Sequence, residues 1–149
     1  MLIQSHMVFA VLGILLFISH VSNKFVFVIM VLLATMIPDL DTHNSSYGRH
    51  LIFRPLQFFV RHRGIIHSFT TAAIVSFLIA LKWPVASFGF FVGYSIHLFC
   101  DSFTKDGIQP FWPLKWKSSG PLITGGRFEE MLFLAMIFIN LFIFFIVVV

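Results

Sequence analysis

Apolar side chains dominate five stretches of the chain, and polar residues gather between these stretches. The apolar stretches cover approximately residues 2–22, 25–37, 65–81, 83–100 and 131–149. A membrane-spanning helix needs roughly 20 apolar residues, with about 17 as a practical minimum. The last three stretches reach that minimum, the first does so if it begins near Leu2, and Pro38 stops the second early. The pattern predicts an all-α, polytopic membrane bundle of about five hydrophobic helices.

Short polar turns separate the first helix from the second and the third from the fourth. The turns are "VSNK" at 21–24 and "KWP" at 82–84, and each predicts an antiparallel helical hairpin. Short helices are compatible with a bilayer that thins locally around them. We therefore expect residues 1–149 to form a single membrane-embedded domain.

The composition excludes an ordinary soluble domain. Hydrophobic residues make up 58% of the chain, charged residues only 11%, and phenylalanine occupies 21 positions. The opening "MLIQSHMVF" has no positively charged region and no cleavage site of small residues, so we expect the first apolar stretch to be retained. The single cysteine, Cys100, excludes an internal disulfide.

Charged residues are distributed unequally between the two membrane faces. The face that holds the N-terminus, the 38–64 loop and the 101–130 loop carries all six acids and six of the seven histidines. Eight of the ten basic residues lie there too, and only Lys24 and Lys82 fall on the opposite face. The positive-inside rule then predicts that this polar face is cytoplasmic.

Two polar segments on this face have the pattern of interfacial anchors. Within the 44–63 segment, Arg54, Gln57 and Arg61 recur at helical spacing, which predicts a basic amphipathic helix. Within the polar loop 101–130, "PFWPLKWK" mixes Trp112 and Trp116 with lysines. Both segments indicate contact with membrane lipids.

Every apolar segment has a histidine or an acid near its end at this one face. Helix-bundle metal sites arise from such convergence of imidazoles and carboxylates. Mixed nitrogen and oxygen ligands suit zinc first, with manganese or iron as alternatives. We predict one or two divalent ions, held by residues drawn from these helix ends: His6, Asp39, Asp41, His67, His97 and Asp101.

Each of these residues also has a structural interpretation. Asp39 and Asp41 in "PDLD" could terminate one helix and cap the next segment; their spacing would bring both carboxylates together only on extended backbone. His97 and Asp101, four residues apart, share one helix face and could form a hydrogen bond between helices. Which of Asp39 and Asp41 binds the metal stays open from spacing alone.

Three further residues are candidates for catalysis. Arg63 lies one helical turn before His67 in "HRGIIHS" and is the first candidate for holding a phosphate, with Arg127 second. Glu130 is the third candidate, although a glutamate at a helix N-terminus is favoured by the helix dipole in any case.

The order of His6, "PDLD", "HRGIIHS", "HLFCDSFTKDG" and an acid opening the last helix resembles the YdjM-like family. Its members are integral membrane proteins described as metal-dependent hydrolases, and the family name also carries an association with the LexA repressor. The resemblance covers nearly the whole chain. It implies a hydrolase in a prokaryotic cytoplasmic membrane and a cytoplasmic regulatory protein as a partner.

A more distant likeness, in motif order alone, is to zinc-dependent phospholipase C and P1-type nucleases. It implies one metal on Asp39 or Asp41, His67, His97 and Asp101, and a second metal on His6 with Asp101. The later ligands of that fold have no match, because no histidine follows His97. One or two ions, and not three, are therefore expected.

The leading functional hypothesis is a membrane-embedded metal-dependent hydrolase of a phosphoester, with a phosphorylated lipid as the favoured substrate. The alternative is a non-enzymatic membrane adaptor that recruits a cytoplasmic regulatory protein. An ion or proton pathway ranks last, because the ionisable groups cluster at one face and do not extend through the bilayer. No direct binding of nucleic acid is expected.

Overall fold

The computed structural model describes residues 1–41 and 64–148, and these residues form five α-helices and no β-strand. The predicted all-α membrane bundle is thus confirmed. The helices are α1 (Ile3–Phe17), α2 (Lys24–Met36), α3 (Phe69–Ala80), α4 (Pro84–Ser102) and α5 (Arg127–Val148). Short 3₁₀ turns follow α1 at Ile18–His20 and α2 at Pro38–Asp41.

Local sequence signals set several of the helix ends. The Asn23 side chain accepts a hydrogen bond from the Val26 amide, 3.1 Å away, and so caps α2. Ser68 caps α3 in the same way through the Thr71 amide. Pro84 occupies the first turn of α4, where its missing N–H costs nothing.

Helix α4 is the centre of the bundle, because it packs against α1, α2 and α3, while α5 lies along α1. Two glycines four residues apart bring α2 and α4 together. A Cβ atom on Gly93 would lie 2.2 Å from the Val31 carbonyl oxygen, and one on Gly89 would lie 2.9 Å from the Phe27 carbonyl oxygen. Small residues at this spacing let helix backbones approach closely in a membrane.

Among the described residues, two helical stretches are long and apolar enough to cross a membrane by themselves, Ile3–His20 and Arg127–Val147. Phe69–Ala80 is a shorter apolar helix. Large apolar side chains on the outside of α5, such as Phe138 and Phe142, are exposed, as lipid-facing residues are. These features agree with a helical bundle whose solvent is the bilayer.

Some predicted boundaries are wrong. The third helix begins at Phe69 and not near residue 65, because Ser68 caps it and residues 65–68 form a turn. The fourth helix continues to Ser102, and the fifth begins at Arg127. "PDLD" forms a 3₁₀ turn, so its backbone is not in the extended conformation that would bring both carboxylates together. The predicted interfacial helix of the 44–63 segment lies outside the described residues.

The polar loop between α4 and α5 folds back on itself. Isolated backbone bridges pair Thr104 with Leu122 and Ile108 with Ser118. The Phe69 amide donates to the Pro110 carbonyl over 2.8 Å, which ties the loop to the start of α3. The loop therefore lies at the end of the bundle where α4 finishes and α3 begins.

Candidate metal centre

Five imidazole and carboxylate side chains converge at this end of the bundle. They come from α1, the turn after α2, the turn before α3, and the last turns of α4. The three imidazoles are fully buried, Asp101 is 2% exposed and Asp39 is 15% exposed. The five residues are His6, Asp39, His67, His97 and Asp101.

The distances between these groups match ligands around an ion better than hydrogen bonds. His6 Nε2 lies 3.4 Å from Asp101 Oδ1, and His67 Nε2 lies 3.7 Å from Asp101 Oδ2. His97 Nε2 lies 3.7 Å from both Asp39 Oδ1 and Asp101 Oδ2. A separation above 3.5 Å is too long for a hydrogen bond. Two ligands on one tetrahedral zinc, with bonds of about 2.1 Å, lie roughly 3.4 Å apart.

The donors form two overlapping triads that share one residue. The first triad is His6, Asp39 and His97, and the second is His67, His97 and Asp101, each with donor atoms within 4.8 Å of one another. The rings of His6 and His97 stack with centroids 4.0 Å apart. A single imidazole nitrogen binds only one ion. An ion bound to His97 would therefore take its other ligands from both triads.

A backbone carbonyl orients the shared histidine. His97 Nδ1 lies 2.8 Å from the Thr35 carbonyl oxygen, so Nδ1 carries the proton and Nε2 points into the cluster. Within residues 1–41 and 64–148, His97 Nε2 is buried and has no hydrogen-bond partner. Such a buried nitrogen is costly unless something binds it. The donor set and this nitrogen fit a divalent metal.

The turn that carries His67 is held by its neighbours. The Tyr94 hydroxyl donates to the Ile66 carbonyl over 2.5 Å. Ser68 Oγ donates to the Ile65 carbonyl over 2.7 Å, and Thr71 Oγ1 donates to the same oxygen. These bonds fix the backbone on both sides of His67, so that its ring has little freedom to leave the cluster.

Asp101 is held from the backbone side and lies next to a positive charge. Its carbonyl accepts a hydrogen bond from Thr104 Oγ1 over 2.7 Å. Its carboxylate Oδ1 lies 2.5 Å from the amino group of Met1. Contacts from its backbone and its side chain therefore both hold Asp101 in the cluster.

Asp39 is the most accessible of the five donors. Burial raises the pKa of its carboxyl group, while the nearby His6 acts in the opposite direction. Asp39 lies in the 3₁₀ turn that Pro38 begins. The structure thus places Asp39 in the cluster, whereas the Asp41 side chain lies outside the described part of the chain.

Two of the predicted catalytic residues, Arg127 and Glu130, lie outside this cluster. Arg127 and Glu130 are exposed on the first turn of α5, and Arg63 lies outside the described residues. The neighbouring Glu129 is buried instead. Its carboxylate accepts hydrogen bonds from the Leu2 and Gly125 amides, both over 2.7 Å, and so joins α5 to the start of α1.

Replacing Glu129 with glutamine is therefore expected to lower the free energy of unfolding by about 1–2 kcal/mol, because an amide serves only one of the two donors well. Glu130→Gln is the matched control and should stay within about 0.5 kcal/mol of the wild type. Thermal unfolding of both variants in detergent measures the difference. Equal stability of the two variants would contradict the capping role.

Sequence reasoning did not identify three residues that position the cluster: Thr35, Tyr94 and Gly93. The spacing of Gly89 and Gly93 was the available signal for close packing. A tyrosine inside an apolar helix indicates a buried partner for its hydroxyl, although not which one. Nothing in the sequence points to the Thr35 carbonyl, because every residue has one.

The comparisons with known proteins bear on the family. The model of the YdjM inner membrane protein family matches residues 1–149. The chain belongs to this family. Inner membrane protein YdjM of Escherichia coli (strain K12) is 27% identical over 117 residues, which cover 70% of this chain and 60% of the relative. Inner membrane protein YdjM of Shigella flexneri gives the same values.

The match confirms the resemblance and the membrane location expected from the sequence. The chain spans about 60% of the length of the curated YdjM relatives. No solved structure matches the chain. The names of the family and its relatives state a membrane location and no activity, so a hydrolase activity stays a prediction.

Proposed function

We propose that this YdjM-family protein is a membrane-embedded, metal-dependent hydrolase of a phosphoester, with a phosphorylated lipid as substrate and zinc as cofactor. The observation that carries the proposal is the buried cluster of three imidazoles and two carboxylates with pairs 3.4–3.7 Å apart. Burial of an ionisable group inside a membrane protein costs free energy, so such a group is first interpreted as part of a functional site.

In this proposal His97, Asp101 and His67 hold the ion, and His6 and Asp39 complete its surroundings. A bound zinc would lower the pKa of a water molecule to about 7 and stabilise negative charge on the phosphate. The Thr35 carbonyl keeps His97 in the tautomer whose Nε2 accepts the ion. Asp39 is the most exposed of the five donors, so in this proposal water reaches the metal centre past Asp39.

Purified protein in detergent with zinc should release phosphate from at least one member of a panel of phosphatidic acid, polyprenyl phosphates and nucleotides. Asp101→Asn should lower this rate more than about 100-fold, because the variant loses a charged ligand. Asp106→Asn, at an exposed position in the following loop, is the matched control. Bound metal without hydrolysis across the panel would contradict the proposal.

A second candidate function, recruitment of a cytoplasmic regulatory protein, is favoured by the exposed tip of the polar loop. Trp112, Leu114 and Trp116 are exposed there, and Lys115 and Lys117 are exposed between and beside them. Aromatic and basic side chains of this kind suit both protein partners and lipid headgroups. The adaptor function requires no metal, so metal analysis separates it from the hydrolase.

The positive-inside rule predicts that the cluster and the loop lie on the cytoplasmic side, and labelling of single cysteines tests this orientation. Ser22 and Ser119 are exposed at opposite ends of the bundle, and the native Cys100 is buried. In intact cells an impermeant maleimide should modify Ser22→Cys and spare Ser119→Cys. The reverse pattern would place the cluster on the outer face.

A further inference from the structure

The polar loop between α4 and α5 combines exposed apolar side chains with lysines at its tip. Residues 111–117, the loop tip, are all exposed, and the large apolar side chains among them are 40–63% exposed: Phe111, Trp112, Leu114 and Trp116. Lys115 and Lys117 are the charged residues of this stretch, and no acid lies between Asp106 and Glu129 in the sequence. An exposed apolar patch of this kind indicates contact with a protein or a membrane.

The base of the loop tip is fixed to the core of the bundle. Ile108 and Ser118 exchange two backbone hydrogen bonds of 2.8 and 2.9 Å, which close the loop beneath the tip. Ile108 is 1% exposed and belongs to the same core cluster as Leu98 of α4. Gly107 turns the chain there with a φ of +62°, and a Cβ atom at this position would lie 2.2 Å from the Ser118 carbonyl oxygen. The packed base therefore holds the tip outside the core, where its apolar side chains stay exposed.

The loop tip adjoins the first residue of an apolar helix. The Phe69 amide of α3 donates to the Pro110 carbonyl over 2.8 Å, and the Phe69 and Phe111 ring centroids lie 6.4 Å apart. The Phe111 ring in turn stacks on Trp116, with centroids 5.8 Å apart and an interplanar angle of 12°. Side chains further along α3, such as Phe77, are exposed, as lipid-facing side chains are. The rings thus lie at the end of a membrane helix, at the level where the hydrocarbon core meets the headgroups.

We propose that the loop tip binds the anionic phospholipid headgroups of the membrane in which the protein lies. Tryptophan rings are enriched at the headgroup level of membrane proteins, and Trp112 and Trp116 are exposed beside the start of α3. Lysines close to a membrane surface attract anionic lipids, so Lys115 and Lys117 give the tip the complementary charge. A soluble protein partner would need these side chains clear of the bilayer, whereas the contacts with Phe69 hold the tip beside a helix of the bundle.

Fluorescence of Trp116 in lipid nanodiscs tests this surface. The chain has three tryptophans, so Trp83→Phe and Trp112→Phe in the full chain leave Trp116 as the only reporter. Bromine on a phospholipid quenches a nearby tryptophan, and bromine near the headgroup should quench Trp116 more than bromine at the end of the acyl chain. In nanodiscs with equal amounts of phosphatidylglycerol and phosphatidylcholine, the quenching should report at least about fivefold enrichment of phosphatidylglycerol at Trp116, the attraction that one lysine provides.

Two double variants in this background isolate the role of charge. Lys115→Ser with Lys117→Ser should remove the preference for phosphatidylglycerol and keep the quenching by bromine near the headgroup, because the ring remains. Lys24→Ser with Lys82→Ser is the matched control, since both lysines are exposed at the opposite end of the bundle. This control should keep the preference.

Equal quenching by brominated phosphatidylglycerol and phosphatidylcholine, or the same preference in both double variants, would overturn the recognition of anionic lipids. Trp116 fluorescence that no brominated lipid quenches would place the tip in water and leave it to a soluble protein partner. The measurement needs neither metal nor substrate, so these outcomes are independent of the proposed hydrolase.

Discussion

Replacing His97 with alanine is expected to abolish zinc binding at the proposed metal centre. His97 Nε2 belongs to both donor triads, so its loss leaves neither triad complete. When a residue that only hydrogen-bonds to a metal ligand is lost, metal affinity falls about 10–100-fold. Loss of the ligand itself should lower the affinity further. Phosphate release should fall with the metal content.

Elemental analysis of purified wild type and variants measures this effect. His20→Ala is the matched control, because His20 is exposed just beyond the far end of α1, where its Nδ1 lies 3.0 Å from Ser19 Oγ. His97→Gln keeps most of the side-chain volume. If this variant folds but binds no metal, the loss of metal comes from the missing ligand and not from a damaged fold. A wild type purified without metal would remove the enzyme hypothesis and favour the adaptor.

Replacing Gly93 with alanine should damage both the fold and the metal centre. The new Cβ would lie 2.2 Å from the Val31 carbonyl oxygen, and backbone atoms cannot yield as a side chain can. Helices α2 and α4 must then separate, at a cost of about 1–3 kcal/mol. Separation also moves Thr35 and Asp39 away from His97, so metal content should fall together with stability.

Gly13→Ala is a suitable control for the glycine substitution. Its Cβ would lie 2.5 Å from Ile96 Cδ1, the end of a flexible side chain that can change rotamer. Thermal unfolding in detergent should show a clear loss of stability for Gly93→Ala and a smaller one for Gly13→Ala. Metal retained at the wild-type level in a destabilised Gly93→Ala would show that helix separation does not reach the ligands.

The cluster itself is expected to reduce the stability of the fold. Three imidazoles and a carboxylate lie at 2% exposure or less at one end of the bundle. Groups of this kind cost free energy when they are buried, and well-packed apolar residues would stabilise the same space better. Binding of the proposed metal would offset this cost.

Helix positions and the identity of the candidate ligands could be predicted from the sequence, because both depend on local patterns. Apolar runs of sufficient length form helices in a membrane wherever their neighbours lie. Pro38, Asn23 and Ser68 set helix ends through their own backbone or side-chain bonds. His97 and Asp101 share a helix face simply because they are four residues apart.

Only the tertiary structure decided which of these groups meet. The rotation of the helices and the distance between them bring Asp39 close to His97 and place the Thr35 carbonyl oxygen within hydrogen-bond distance of His97 Nδ1. The same packing buries Glu129 and leaves Glu130 exposed. Close contact of α2 and α4 at Gly93 depends on the same packing, and so does the apolar cavity between α1 and α4. The sequence by itself determined the helices and the donor types. Packing between distant segments determined the geometry of the centre, because no local pattern specifies how two helices face each other.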